Sequence, residues 1–225
     1  MVSVEQKSLD GNDSETASQK RFLEMLLSGD RIGCFDFVQN YVHDEDSLKE
    51  LYEKVLKTSL YEVGKLWEHN RITVATEHLA SAIVESILNK FYSDIVSRKR
   101  VENTVVVACV ENELHQIGAK MVSDVFEMNG WNSFFLGANM PAVELVEYVR
   151  NIRPDILAIS LSLYFHLPDL EKLIRMINRE IPDQRILVGG QAFTHGGIDA
   201  VNQYQNVVYK ADLSETESYI RQWAA

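Results

Sequence analysis

A carboxylate and an imidazole, Glu113 and His115, stand two residues apart where an apolar run gives way to a helical pattern. The run is Val105-Val106-Val107-Ala108-Cys109-Val110, followed by Glu111-Asn112-Glu113-Leu114-His115-Gln116-Ile117-Gly118. A wholly apolar run that leads into a helix reads as a strand of a parallel sheet, and ligands bind at the carboxyl ends of such strands. Most loops of this kind cradle a phosphate with glycines. This one instead offers a histidine with an acid before it and a glycine after it, a pairing that orients a metal ligand or tunes a base. Two further strand ends are expected beside it, Ser160-Leu161-Ser162-Leu163-Tyr164 and Val188-Gly189-Gly190-Gln191. Hydroxyls give adaptable hydrogen bonds, and glycines let a ligand approach the backbone. The three together predict a long slot beside the sheet with His115 at its mouth.

The elements that position these residues fall into two groups. Residues 1–17 are mostly polar and are expected to be disordered. From 18 to 97 the apolar residues recur at helical spacing, with breaks at Ser28-Gly29-Asp30, His43-Asp44-Glu45-Asp46 and His69-Asn70-Arg71. Four helices with short loops make a bundle, its third helix running unbroken from Leu48 to Trp67 and its last from about Val74 to Val96. The basic run Arg98-Lys99-Arg100 reads as a solvated linker over 98–103. After it, apolar runs at 104–110, 131–136, 155–161, 185–188 and 206–209 alternate with helical patterns, so residues 104–225 form a second domain. That alternation predicts an α/β class, a five-stranded parallel sheet of flavodoxin or Rossmann-like type with flanking helices.

Bulk composition narrows the function. A formal charge of −11 opposes direct contact with DNA or with an anionic membrane surface, both of which need cationic protein. No apolar run approaches the roughly 20 residues of a membrane span, and Met1–Ser18 shows no secretory apolar segment. Cys34 and Cys109 lie in apolar surroundings without metal spacing, which suits free thiols in a reducing, cytoplasmic setting. A dinucleotide-binding reading lacks G-x-G-x-x-G after the first strand, and a phospho-receiver reading lacks its acidic cluster.

Glu113-x-His115-x-x-Gly118, the serine-bearing strand end and Gly189-Gly190 resemble the DxHxxG…SxL…GG signature of cobalamin-binding domains, which are often preceded by a four-helix bundle. Two departures stand out. The acid is Glu rather than Asp, and the leucine position of SxL holds Ser162 or Tyr164, depending on which serine begins the motif. The resemblance implies that His115 is the lower axial cobalt ligand and that Glu113 accepts its other ring N–H. Gly118 would let the nucleotide tail pass, with Ser160, Ser162, Gly189 and Gly190 lining its slot.

Gly64-x-x-Trp67 and Val74-Ala75-x-Glu77-His78-x-Ala80-Ser81 are similar to the helical cap of light-sensing cobalamin regulators. That likeness implies that Trp67, Glu77 and His78 cover the upper axial group, adenosyl in preference to methyl or hydroxo. In those photoreceptors a histidine directly follows the tryptophan; here Glu68 does, and His69 one position later is the candidate upper ligand. The implied protein is a non-catalytic cobalamin photoreceptor in transcription regulation, acting through a protein partner such as a transcription factor, with homo-oligomerisation as a further expectation. The competing expectations are a corrinoid carrier subunit of a methyltransferase system and an interaction module that has lost its cofactor.

Overall fold

A computed structural model describes residues 17–96 and 100–223. The expected disorder before residue 17 and the residues Arg98 and Lys99 lie outside that range. The chain divides into two compact units, the first ending at Phe91 and the second beginning at Tyr92.

The first unit is helical. Helix α1 covers 17–28, and Gly29 stops it in the left-handed region at φ 71°. Asp30 then caps α2 (Arg31–Tyr41) by accepting the Gly33 N–H at 2.9 Å. Asp44 and Ser47 form a reciprocal capping box at the start of α3 (Glu45–Glu50). The polar breaks in the sequence are therefore caps with specific donors.

The rod expected as one helix from Leu48 to Trp67 is continuous but not uniform. Between α3 and α4 (Lys57–Glu68) the segment Leu51–Leu56 winds as a π-helix. Its wider turn buries Leu51, Tyr52, Val55 and Leu56 together, and apolar spacing alone does not separate such a turn from an α-helical one. Helix α5 (Val74–Val96) begins on the same unit. It buries Ala80, Ile83, Val84, Ile87 and Leu88, the three-and-four spacing of one helical face.

The second unit is a five-stranded, all-parallel sheet in the order β2-β1-β3-β4-β5. The strands are β1 (Thr104–Cys109), β2 (Asn132–Gly137), β3 (Ile156–Ser160), β4 (Arg185–Gly189) and β5 (Val207–Tyr209). Helices α6 (Ile117–Met128), α7 (Ala142–Ile152), α8 (Leu167–Glu180), α9 (Ile198–Asn202) and α10 (Leu213–Arg221) connect and finish them. Helices α6 and α10 pack together, as do α7 and α8. Central β1 and β3 are apolar but for Thr104 and Ser160 because both faces are covered, every residue but Thr104 being buried. The order reverses between β1 and β3, the kind of switch point outside which open α/β sheets bind their ligands.

One expectation about the linker needs correction. Arg100 is not a solvated residue. Its guanidinium pairs with the buried Glu127 carboxylate and donates to the carbonyls of Trp131 at 2.8 Å and Val96 at 2.9 Å. Charge runs are usually solvated, but a planar fork that finds a buried carboxylate and two carbonyls is held. Breaking a buried pair from one side costs roughly 3–5 kcal/mol, and the 31 % exposure of the Arg100 side chain reduces that figure. Arg100→Ala is therefore expected to lower stability by about 2 kcal/mol in urea denaturation. An unchanged midpoint would show that Glu127 does not depend on Arg100.

Candidate cofactor site

Strand β1 ends at Cys109, and in the sheet register Cys109 lies beside Ser160, which lies beside Gly189. The three strand ends singled out in the sequence therefore meet at one edge. Beyond β1 the chain makes a short turn, with Glu113 N–H donating to the Val110 carbonyl at 3.1 Å and Asn112 in the left-handed region at φ 70°.

Glu113 is fully buried. Its Oε1 accepts the His115 backbone N–H at 3.0 Å and lies 2.5 Å from His115 Nδ1, while its Oε2 accepts the N–H groups of Ser162 and Leu163, each at 2.9 Å. Burial pushes the carboxyl pKa up, but the imidazole and the three backbone donors outweigh it and hold the group down at about 2. The carboxylate is thus ionised and acceptor-only, so His115 Nδ1 carries the proton and donates it. Nε2, on the opposite side of the ring, then carries no proton, the state in which an imidazole nitrogen can ligate a metal. The His115 side chain is 54 % exposed, so the ring stands at the surface while its partner lies beneath it.

Close under the loop, the Cys109 thiol donates to the His115 carbonyl at 3.5 Å. Burial and the Glu113 charge raise that thiol to about 12, so it stays neutral and packs as an apolar group.

The remaining candidates have distinct places. A Cβ on Gly118, in the first turn of α6, would stand 3.8 Å from Ser160 Oγ, so bare backbone faces that hydroxyl across the strand end. Ser162 serves Glu113 through its backbone N–H. Gly190 has φ 119°, and a Cβ there would fall 2.2 Å from the Leu161 carbonyl oxygen; at Gly189 it would come within 3.0 Å of the Lys210 carbonyl. Close packing of strand ends therefore already requires glycine at 190 and leaves a side chain at 189 little room, whatever else passes along them.

In the helical unit, Trp67 lies in the last turn of α4 with 48 % of its surface exposed, and Glu68 beside it is exposed. His69 is the C-cap residue. Its Nδ1–H turns back to the Lys65 carbonyl at 2.7 Å. Glu77, His78 and Ser81 form one hydrogen-bonded group at the start of α5: His78 Nδ1 lies 2.5 Å from Glu77 Oε2, and Ser81 Oγ donates to Glu77 Oε1 at 2.9 Å. The structure thus joins Glu113 with His115, and Glu77 with His78. His69 is directed to its own helix.

Sequence reasoning named Leu114 and Tyr164 only as members of the strand-end runs and gave Phe165 and Asn139 no place. Leu114, Tyr164 and Phe165 are exposed at the same strand ends. Asn112 and Asn139 both adopt positive φ there. Asparagine before a turn was a usable signal for the second pair, because it tolerates that conformation better than other side chains.

Among the described residues no group of three or more His, Cys, Asp or Glu side chains could hold a metal ion. A metal at His115 would have to bring most of its ligands with it, as a corrin does. One imidazole with a fixed tautomer, bare backbone at Gly118 and the Ser160 hydroxyl facing it fit that kind of group.

Fold and site define a doubly wound domain with a carboxylate-paired histidine, His115, at its switch point, preceded by a helical unit. Residues 103–207 match the family model of the B12 binding domain, and residues 18–91 match a second family, also described as a B12 binding domain. The chain belongs to the cobalamin-binding proteins. It is 29% identical over 143 residues to the HTH-type transcriptional repressor CarH of Myxococcus xanthus, covering 63% of this chain but 47% of that protein. It is 24% identical over 158 residues to dimethylamine corrinoid protein 1 of Methanosarcina acetivorans, covering 68% of this chain and 73% of the relative. The monomethylamine corrinoid protein of Methanosarcina barkeri has the same fold, with a TM-score of 0.77 at 13% identity over 92% of this chain and 99% of that one. No helix among the described residues is long and apolar enough to cross a membrane.

The depressed Glu113 carboxyl predicts a pH dependence. Its ordinary pKa of 4.5 applies in the unfolded chain and about 2 in the folded one. Its stabilisation is therefore complete above about pH 4.5 and is lost as the pH falls toward 2. Urea midpoints measured from about pH 5 down to about pH 3 should fall more steeply for the wild type than for Glu113→Gln. Parallel curves would mean that the carboxylate is not held as described.

Proposed function

We propose that the chain is an adenosylcobalamin-dependent sensor that answers light and signals through a protein partner. In this reading His115 Nε2 is the lower axial ligand and Glu113 fixes its tautomer. Gly118, Ser160, Ser162, Gly189 and Gly190 attend the nucleotide tail. When bound, adenosylcobalamin supplies a cobalt–carbon bond that light can break. Trp67, Glu77 and His78 are assigned to the upper axial group, and they lose a contact when that group departs. A ligand shifts a protein equilibrium only through contacts that differ between its states, and these residues provide the difference. Methyl or hydroxo forms of the cofactor would leave that group less to contact.

The observation that carries the reading is the pair of features in the helical unit, a half-exposed Trp67 and a carboxylate–imidazole pair, Glu77–His78, that no core position demands. The charge of −11 favours a protein partner, such as a transcription factor, over DNA. Buried free thiols suit the cytoplasm. His69 is a weaker candidate for the upper site because its ring already caps α4.

A second reading, a corrinoid carrier of a methyltransferase system, is favoured by coverage: the match takes in 73% of the dimethylamine corrinoid protein but 47% of the repressor. Absorption spectra of the protein loaded with adenosylcobalamin, in the dark and after green light, separate the two. The sensor reading expects a light-dependent change and tighter binding of adenosylcobalamin than of methylcobalamin. Trp67→Ala should cut that preference at least about tenfold, or about 1.4 kcal/mol. A spectrum indifferent to light, with equal affinity for both forms, would replace the sensor with the carrier. His115→Ala with an unchanged spectrum would remove the ligand assignment from both.

A further inference from the structure

The loop that carries His115 has no regular structure of its own, so its shape comes from what grips it. Glu113 and Cys109 hold it from below. A third grip comes from the connection between β2 and α7, which the functional reading leaves without a role. Asn139 Oδ1 accepts the Asn112 N–H at 2.8 Å, and the Asn139 N–H donates to the Glu113 carbonyl at 2.8 Å. One residue therefore fastens the backbone on both sides of the peptide that joins Asn112 to Glu113.

The cost of that arrangement is visible in the backbone. Among the described residues four non-glycine residues have positive φ, and two of them are Asn112 at 70° and Asn139 at 50°, bonded to each other. Such conformations persist where the surroundings over-determine them, and they gather at functional sites. The same connection is tied a second time. Gln116, directly after His115, accepts the Ala138 N–H through Oε1 at 3.3 Å, beside Gly137 at φ 77°. The β2–α7 connection thus touches the ligand loop before and after the histidine.

We propose that Asn139 is a positioning residue for His115, setting the height and tilt of the imidazole by clamping the Asn112–Glu113 backbone. This rests on the reading of His115 as the axial ligand. Outer partners of metal-ligating histidines typically change affinity about 10–100-fold when removed, because a misplaced ring forfeits its ligand bond.

Glycine at 139 keeps the positive φ without strain and deletes only the acceptor, whereas aspartate keeps an acceptor of the same reach. The test uses the full chain labelled with ¹⁵N-histidine and loaded with cobalamin reduced to the Co(II) form. Its electron paramagnetic resonance spectrum shows splitting by the axial nitrogen, and the isotope distinguishes a protein histidine from the cofactor's own base. Asn139→Gly is expected to lose much of the ¹⁵N splitting and to bind cobalamin at least about tenfold more weakly, while Asn139→Asp retains both. Urea denaturation of the cofactor-free proteins should give Asn139→Gly the wild-type midpoint. Equal splitting and affinity in Asn139→Gly and the wild type would overturn the role of Asn139 while leaving His115 as ligand. So would equal losses in the Gly and Asp variants, or a Gly variant that does not fold. Absence of ¹⁵N splitting in the wild type would instead remove the ligand reading itself.

Discussion

A carboxylate with no exposed surface is tolerable only if its charge is fully met, and Glu113 is met four times. The donors come from two places. The His115 backbone and ring belong to the loop after β1, and the N–H groups of Ser162 and Leu163 belong to the loop after β3. The ion therefore does two things at once. It stitches neighbouring strand ends together, and it dictates which ring nitrogen of His115 holds a proton. Removing the acid would strand three backbone N–H groups as well as an imidazole, so the fold of this edge and the chemistry of the histidine share one interaction. The longer reach of glutamate suits the geometry: a single side chain spans from the imidazole to the β3 loop.

That interaction depends in turn on topology. Only because β1 and β3 are neighbours, with Cys109 beside Ser160, can one side chain reach both loops. The next pairing sets Gly189 beside Ser160, and Gly190 then lies so close to Leu161 that no side chain fits between them. Gly190, in the pair that resembles a tail-binding motif, is thus also a packing requirement of the strand ends. A residue type demanded by the fold can still serve a ligand, since the bare backbone that lets Leu161 approach is also what lets a ligand approach.

Much of this was legible in the sequence because it follows from periodicity. Runs such as Val105–Val110 and Ile156–Ser160 can only be doubly covered strands when helical patterns separate them, and that order fixes which strand ends meet. Glu113 and His115 were legible as a pair because a spacing of two lets a turn fold the acid back under the ring. The π-helical turn at Leu51–Leu56 was not, since its apolar residues satisfy an α-helical pattern as well. Nor was the anchoring of Arg100, whose partners Glu127 and Trp131 lie about thirty residues further along the chain. Asn139 was half legible: an asparagine before a turn signals its positive φ, but its two bonds depend on the β2–α7 connection lying against the β1 loop, of which local composition carries no trace.

The helical unit shows where packing explains a residue and where it does not. His69 is accounted for as a cap, because its backbone N–H and its ring N–H both meet the Lys65 carbonyl in the last turn of α4, at 3.1 and 2.7 Å. Trp67 is not accounted for in this way. Val63, one turn earlier, is 1 % exposed and fills the core, whereas Trp67 leaves 48 % of its surface in solvent. Packing in the core accounts for only about half of that side chain and leaves the rest of the indole facing solvent. Glu77 is similar. Its place in the first turn of α5 satisfies the helix dipole, yet that role needs neither the His78 imidazole nor the Ser81 hydroxyl that it also binds. What packing leaves over in this unit is an aromatic face and a hydrogen-bonded carboxylate–imidazole pair. A ligand with one flat apolar portion and one hydrogen-bonding portion would match that remainder, as an adenine joined to a ribose does.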